Sequence, residues 1–287
     1  MNSYQSVILN LKLLRRAFRR TQAALRFGSL ENSPILFANS FPKSGTHLLT
    51  QVLQGFIRLA PVVDSGLPAV VTFAGSTGQP RPLEAILTDL HRFLPGDIGY
   101  GHLHALPELT AELANDRVCA FFILRDPRDV VVSHVHYVTE MAPHHVHHHY
   151  YAHELKSFDE RLTASIVGRP GLAIPFPDIS GRFEPYLGWF DCSEVLILRF
   201  EDFVFQRAAT LERVLDHAQS RGLLVKPPRD EALRLLGASI NPEKSPTFRS
   251  GKIGKWRESF SEAHRSTFKN IAGDLLTWLG YEDGDDW

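Results

Sequence analysis

Ile35-Leu36-Phe37-Ala38-Asn39-Ser40-Phe41-Pro42-Lys43-Ser44-Gly45-Thr46 is the stretch that decides the fold. Its first four residues form a short apolar run, and Asn39 to Gly45 is rich in turn formers. Beyond it, Leu48, Leu49, Val52, Leu53, Phe56 and Ile57 recur at helical spacing. That order reads as strand, tight loop, helix. Successive amides in such a loop, together with the helix N-terminus, make a concave anion site. Gly45 lets the backbone approach a ligand, Lys43 adds a mobile positive charge, and Ser44 and Thr46 add hydroxyl donors. The alternative is an ordinary βα turn in which Ser or Thr caps the helix. An ATP-binding Walker-A loop is longer and ends in Gly-Lys-Ser/Thr. Here the lysine precedes the glycine, which argues against an ordinary ATPase.

Outward from this stretch the same alternation continues. Asp97–His102 reads as a strand and Pro107–Ala114 as a helix with proline in its first turn. Val118–Leu124 is unbroken, β-branched and aromatic, as suits a parallel strand buried on both faces. Pro127 opens a helix that runs to Tyr137. Val195–Leu198 is another buried strand, followed by a helix carrying Leu211, Val214 and Leu215. Residues 242–255 are turn-rich and precede a final helix ending near Leu279. Strands alternating with helices predict an α/β fold, a central parallel β-sheet flanked by helices through right-handed crossovers. No repeat or linker marks a boundary. The chain divides into a basic helical extension over residues 1–30 and a single domain over 31–287.

Composition narrows the function. The 287 residues carry 31 Lys+Arg against 32 Asp+Glu, a formal charge of −1, so the overall basic footprint of a nucleic-acid binder is missing. With 44% hydrophobic and 22% charged residues, the chain has ordinary globular composition. Cys119 and Cys192 are too few for a disulfide framework and point to a reducing, cytoplasmic setting. The longest apolar stretch, Val118–Leu124, is far short of the roughly 20 residues of a membrane helix. The N-terminus, with Arg15, Arg16, Arg19 and Arg20 among leucines, lacks the order of a signal peptide. It reads as a helix that packs on the domain, frays, or lies on a membrane surface.

Two further constellations carry chemistry. In Arg125-Asp126-Pro127-Arg128-Asp129-Val130-Val131-Val132-Ser133, Arg125 closes the central strand, where ligands of open α/β sheets bind. Ser133 falls about two turns into the following helix, and Arg128 and Asp129 read as surface charges. In Phe248-Arg249-Ser250-Gly251-Lys252-Ile253-Gly254-Lys255-Trp256, glycines and cations suit a lid over a polyanion, against the plainer reading of a solvated loop.

Together these segments resemble the 3′-phosphoadenylyl-sulfate-dependent sulfotransferases. The chain matches Pro-Lys-Ser-Gly-Thr at Pro42–Thr46, the strand-closing arginine and later serine at Arg125 and Ser133, and Arg-x-Gly-x-x-Gly-x-Trp at Arg249, Gly251, Gly254 and Trp256. The resemblance runs from about Ile35 to Leu279 and implies a P-loop-NTPase-like sulfotransferase fold. It implies that Lys43, Ser44, Gly45 and Thr46, with His47 beside them, hold the 5′-phosphosulfate of the donor. By the same resemblance Arg125, Ser133, Arg249, Ser250 and Gly251 hold its 3′-phosphate, and Phe200 stands near the adenine. The alternative for Phe200 is a core phenylalanine. Three departures set the chain apart from the classical animal phenol and steroid group. Leu48 replaces a tryptophan, Ser250 replaces a lysine, and Tyr100 stands where many members carry a second lysine.

The resemblance also implies a histidine base after the second strand. His102 aligns with it and His104 is the rival, both on one face if the strand continues. The chemistry implied is in-line sulfuryl transfer from 3′-phosphoadenylyl sulfate, with 3′-phosphoadenosine 5′-phosphate (PAP) as product. It requires no metal. The acceptor is a hydroxyl, or an amine, of a small molecule or sugar. His134, His136, His144, His145, His147, His148, His149 and His153 are interleaved with Tyr137, Met141, Tyr150 and Tyr151, which suits a solvated segment or an acceptor-pocket loop better than a zinc site. His104, Tyr137 and Tyr150 are its candidate acceptor contacts. Two readings compete, a nucleotide-dependent kinase and a nucleotide-binding regulator without turnover.

Overall fold

The computed structural model describes residues 3–75, 77–244, 251–284 and 286–287, with side chains from Leu14 onward. Its strands are β1 (Ile35–Ser40), β2 (Val63–Asp64), β3 (Val70–Val71), β4 (Asp97–His102), β5 (Val118–Leu124) and β6 (Val195–Arg199). They pair in parallel in the order β2-β4-β1-β5-β6, with β3 continuing the outer edge of β4 beyond β2. Helices α1 (Ser3–Phe27), α2 (Thr46–Gly55), α3 (Leu83–Leu90), α4 (Pro107–Ala114), α5 (Pro127–His136) and α6 (Phe158–Val167) come from the first part of the chain. Those that follow are α7 (Ile179–Leu187), α8 (Phe200–Phe205), α9 (Arg207–Ser220), α10 (Arg229–Gly237), α11 (Trp256–Ser259) and α12 (Glu262–Trp278).

The unbroken apolar run of β5 is explained by its two covered faces. Cys119, Phe121 and Ile123 enter a core shared with α2, α9 and α10. Ala120, Phe122 and Leu124 enter a second core, shared with α4, α5, α6, α7 and α12. Alternation along a strand makes this division, and every one of those six side chains is buried. Gly101 is required at the sheet edge: a Cβ there would come within 2.2 Å of the Val70 carbonyl oxygen and prevent β3 from pairing.

The basic N-terminal helix packs on the domain. Arg16 and Arg20 both pair with the wholly buried carboxylate of Asp97, at the start of β4. Among the described residues no helix is long and apolar enough to cross a membrane.

Strand β1 runs two residues beyond the apolar run, so Asn39 and Ser40 belong to the ladder. Asn39 is buried and clamps both backbone groups of Leu103, donating to its carbonyl at 3.1 Å and accepting from its amide at 2.8 Å. Leu103 also accepts from the Trp189 indole at 2.8 Å. These bonds fix where the chain leaves β4 and therefore where His102 and His104 stand.

Candidate active site

The loop after β1 is shaped by two left-handed residues. Gly45 has φ 101° and Lys43 has φ 71°. For a lysine that conformation costs roughly 1–2 kcal/mol, and such strain is characteristic of functional sites. Gly45 is the N-cap of α2 and offers no side chain to cap it, so the first amides of the helix have no intrahelical acceptor. Ser44 is fully buried, and its hydroxyl has no partner among the described residues. The loop therefore gathers unpartnered donors at the start of α2, the pattern of a helix N-terminal anion site.

Lys43 stands over the Tyr137 ring with Nζ 3.7 Å from its centroid. Burial first, and the charge of Arg125 second, lower its pKa to about 8. Arg125 thus acts on a lysine that pairs with no carboxylate among the described residues, an electrostatic setting that suits an anion. Burial and the Lys43 charge likewise lower the pKa of His47.

The phenyl ring of Phe200, half-buried at the start of α8, joins the loop to Arg125. A Cβ on Gly45 would lie 2.7 Å from Phe200 Cδ2, and the Arg125 guanidinium stacks on the same ring at 4.7 Å. Arg125 donates to Asp129 at 2.9 Å and to the Lys252 carbonyl at 2.8 Å, while its buried Nε has no partner among the described residues. Ser133 lies one turn beyond Asp129 on the same face of α5. Gly251, at φ 58°, brings the end of the lysine- and glycine-bearing segment into the described structure. Arg249 and Ser250 lie outside the described residues.

Arg128 and Asp129 are not surface charges. The Asp129 side chain is 0% exposed and accepts from the amides of Gly254 at 2.8 Å and Trp256 at 3.1 Å, as well as from Arg125. Arg128 is 2% exposed, paired to Asp126 and Glu282, with its guanidinium 4.0 Å from the Trp256 ring centre and 4.5 Å from that of Trp287. Reading the helix alone missed this because the covering groups come from the far C-terminal end of the chain. Asp126 caps α5 through the Arg128 amide at 2.9 Å. The two acids thus serve different ends, one capping the helix and one latching the distant loop.

His102 is the last residue of β4. Its Nδ1 lies 3.0 Å from both the carbonyl oxygen and the hydroxyl of Ser40. A carbonyl only accepts, so Nδ1 carries the proton and Nε2 keeps its lone pair. Burial lowers the pKa of His102; the bond to Ser40 opposes this, and the charges of His47 and Lys43 add to it. The ring is therefore neutral and basic at Nε2 near neutral pH. The Ser40 hydroxyl also lies 2.7 Å from Thr46 Oγ1, which ties the histidine to the anion loop.

His104 separates from His102 because the ladder ends between them. It packs edge-on between Phe73 and Tyr186, and burial lowers its pKa to about 4. It lines a cavity of about 690 Å³ whose walls include Phe41, Lys43, Tyr137, Phe176 and Tyr186. Val130 and His134 reach this cavity from one face of α5, Tyr137 from the turn that continues it, and Met141, His144, His145 and His147 from the histidine-rich stretch. Two π-helical turns, Tyr137–Met141 and Tyr150–Glu154, frame that stretch. His102 and Tyr150 are not among the residues lining the cavity, and Tyr151 is core. Phe73 and Phe176, which wall the cavity, come from loops that carry no periodic signal.

A second cavity of about 660 Å³ runs along the other flank of α2, from His47 past Gln51 to Arg58, with Tyr100 in its wall. Leu48 is half-buried against the α2-side core.

The family model described as sulfotransferase domain matches residues 34–280. Among solved structures, mouse sulfotransferase SULT7A1 complexed with PAP is similar with TM-score 0.57 and 16% identity, covering 93% of this chain and 92% of that one. Retinol dehydratase in complex with androsterone and PAP is similar with TM-score 0.58 and 18% identity, covering 86% and 83%. A second retinol dehydratase structure, with retinol and PAP, gives TM-score 0.56. No curated protein matches the chain.

Proposed function

The chain belongs to the sulfotransferase family, and from that premise we propose how its residues work: His102 deprotonates the hydroxyl of an apolar small molecule held in the aromatic cavity, and the loop after β1 holds the sulfuryl donor. When bound, 3′-phosphoadenylyl sulfate supplies the sulfuryl group, and PAP is what remains. The residues fit this donor. Ser44 Oγ and Arg125 Nε are buried polar atoms without partners among the described residues, and the family motifs assign one anionic end of the donor to each. That pair of orphaned donors carries the reading, because an unpaired buried polar group costs about 1–3 kcal/mol unless a ligand satisfies it.

Lys43, Ser44, Gly45 and Thr46 hold the 5′-phosphosulfate, with His47 beside them. Arg125 and Ser133 hold the 3′-phosphate with Gly251, and with Arg249 and Ser250 from the same loop. Phe200 sets the spacing between the two stations, near the adenine. His102 Nε2 takes the acceptor proton as the acceptor oxygen bonds to sulfur. The bond from sulfur to the bridging oxygen breaks, and its electron pair stays on that oxygen. Lys43 and the loop amides neutralise the charge that grows there, as in phosphoryl transfer, where positioning and electrostatics supply most of the catalysis. His104 and Tyr137 contact the acceptor. The phenylalanine and tyrosine walls of the cavity favour an apolar acceptor over a sugar.

Incubating the enzyme with 3′-phosphoadenylyl sulfate and 2-naphthol tests the reading by mass detection of the naphthyl sulfate. Product that disappears in His102→Ala while PAP still binds supports it. Near-normal turnover in that variant removes His102 as base. PAP binding without product from any hydroxyl acceptor favours a regulator, and ATP-dependent phosphoryl transfer favours a kinase.

A further inference from the structure

The aromatic cavity has a marked electrostatic sign. Its described lining contains Lys43, Arg182 and five histidines, and no aspartate or glutamate. Lys43 belongs to the anion loop, whereas the mechanism leaves Arg182 unused. Arg182 lies on α7 with its guanidinium stacked on Phe176 at 4.4 Å. Its Nε donates to the Asp178 carbonyl at 3.4 Å and its Nη2 to the Ser165 carbonyl.

A guanidinium has five N–H donors, and those two bonds account for two. Glu184, the nearest acid in sequence, is exposed, and Asp178, whose charge acts on Arg182, makes no ion pair with it: the Asp178 carboxylate caps α7, accepting from the Gly181 amide at 2.8 Å. Arg16, Arg125 and Arg128 each hold a carboxylate by contrast. Arg182 makes no ion pair with a carboxylate among the described residues. Burial lowers its pKa only to about 10, so it stays charged at neutral pH. Arg182, Lys43 and His134 line the same cavity, which places the two cations around one enclosure. A desolvated cation without a counter-ion is costly, and a planar guanidinium suits a carboxylate in two-point contact.

We propose that Arg182 determines acceptor specificity by pairing with a carboxylate on the acceptor, so that the enzyme prefers rigid apolar hydroxy acids, with the hydroxyl at the Lys43 end and the acid at Arg182. This rests on the sulfotransferase reading above. The same pair of cations repels a protonated amine, which makes the acceptor a hydroxyl rather than an amine.

The test uses three acceptors with one ring and one nucleophile: 6-hydroxy-2-naphthoate, its methyl ester, and 6-(aminomethyl)-2-naphthol. With 3′-phosphoadenylyl sulfate at neutral pH, the wild-type kcat/KM for the acid exceeds that for the ester at least tenfold and that for the amine at least a hundredfold, mainly through KM. In Arg182→Gln the acid-to-ester ratio falls below threefold. Equal rates for acid and ester in the wild type overturn the proposal and leave the sulfotransferase reading standing. So does an acid preference that survives the substitution, which would make Arg182 only a clamp between α6 and α7. If the variant does not fold, the wild-type ranking decides alone. Sulfation of none of the three despite PAP binding overturns the proposal; failure of PAP binding as well overturns both.

Discussion

Replacing Asp129 by Asn is the most informative perturbation of the donor site, because it changes one atom in a fully enclosed position. The carboxylate accepts from Gly254, Trp256 and Arg125 at 2.8, 3.1 and 2.9 Å. Bonds to a charged group contribute about 1.5–3 kcal/mol each. An asparagine keeps one acceptor oxygen and turns an amide NH2 toward groups that are themselves donors, so one to two of the three bonds are lost, about 1.5–6 kcal/mol. At roughly 2 °C per kcal/mol for a domain of this size, the melting temperature falls by about 3–12 °C. The loop carrying Gly251 and Gly254 loses its latch to α5, and Arg125 its orientation. Each 1.4 kcal/mol that appears in binding is tenfold in affinity, so PAP affinity falls about ten- to a hundredfold, while adenosine 5′-monophosphate changes less than threefold. The opposing effect is relief of repulsion between the carboxylate and the 3′-phosphate, which the ion pair to Arg125 already offsets. Titration calorimetry of both nucleotides, on protein shown folded by circular dichroism, reads the outcome. A variant that binds PAP as tightly as the wild type, or more tightly, refutes the reasoning.

Four further outcomes follow from the same geometry. His102→Ala lowers kcat about 10²–10⁴-fold with PAP affinity unchanged, in steady-state rates and calorimetry. The pH dependence of kcat/KM is bell-shaped: activity needs His102 neutral, so the acid limb lies below the usual histidine range, and Lys43 charged, so the alkaline limb lies near pH 8. Bound anions favour the lysine cation, so the alkaline limb of kcat lies higher, and Lys43→Arg moves the alkaline limb of both profiles out of the measured range. Gly45→Ala forces a side chain into a φ of 101° and to 2.7 Å from Phe200; donor affinity falls at least tenfold and thermal stability drops measurably.

The anion loop was legible because its chemistry is local: strand, lysine, glycine and helix lie within a dozen residues, and the amides of the helix start need no distant partner. The strand at Val118–Leu124 was equally plain, since burial on both faces leaves an uninterrupted apolar run. The edge strands β2 and β3 are two residues each, too short for any period to register. Arg128 and Asp129 look like exposed charges on their own helix, because the indoles of Trp256 and Trp287 and the amides that bury them lie far along the chain. The cavity wall was half visible: Tyr137 follows from the helix face, whereas Phe73, Phe176 and Arg182 arrive from segments whose approach no spacing encodes. Tyr150, at the start of the second π-helical turn, packs against the core and is not among the residues lining the cavity.

Calorimetric comparison of PAP with adenosine 5′-monophosphate tests the central claim most directly, that the loop at Lys43–Thr46 and the Arg125 station grip the two anionic ends of one nucleotide. PAP binding at least a hundredfold more tightly, with the difference abolished in Arg125→Ala, is the predicted result; equal affinities for the two nucleotides in the wild type would contradict it.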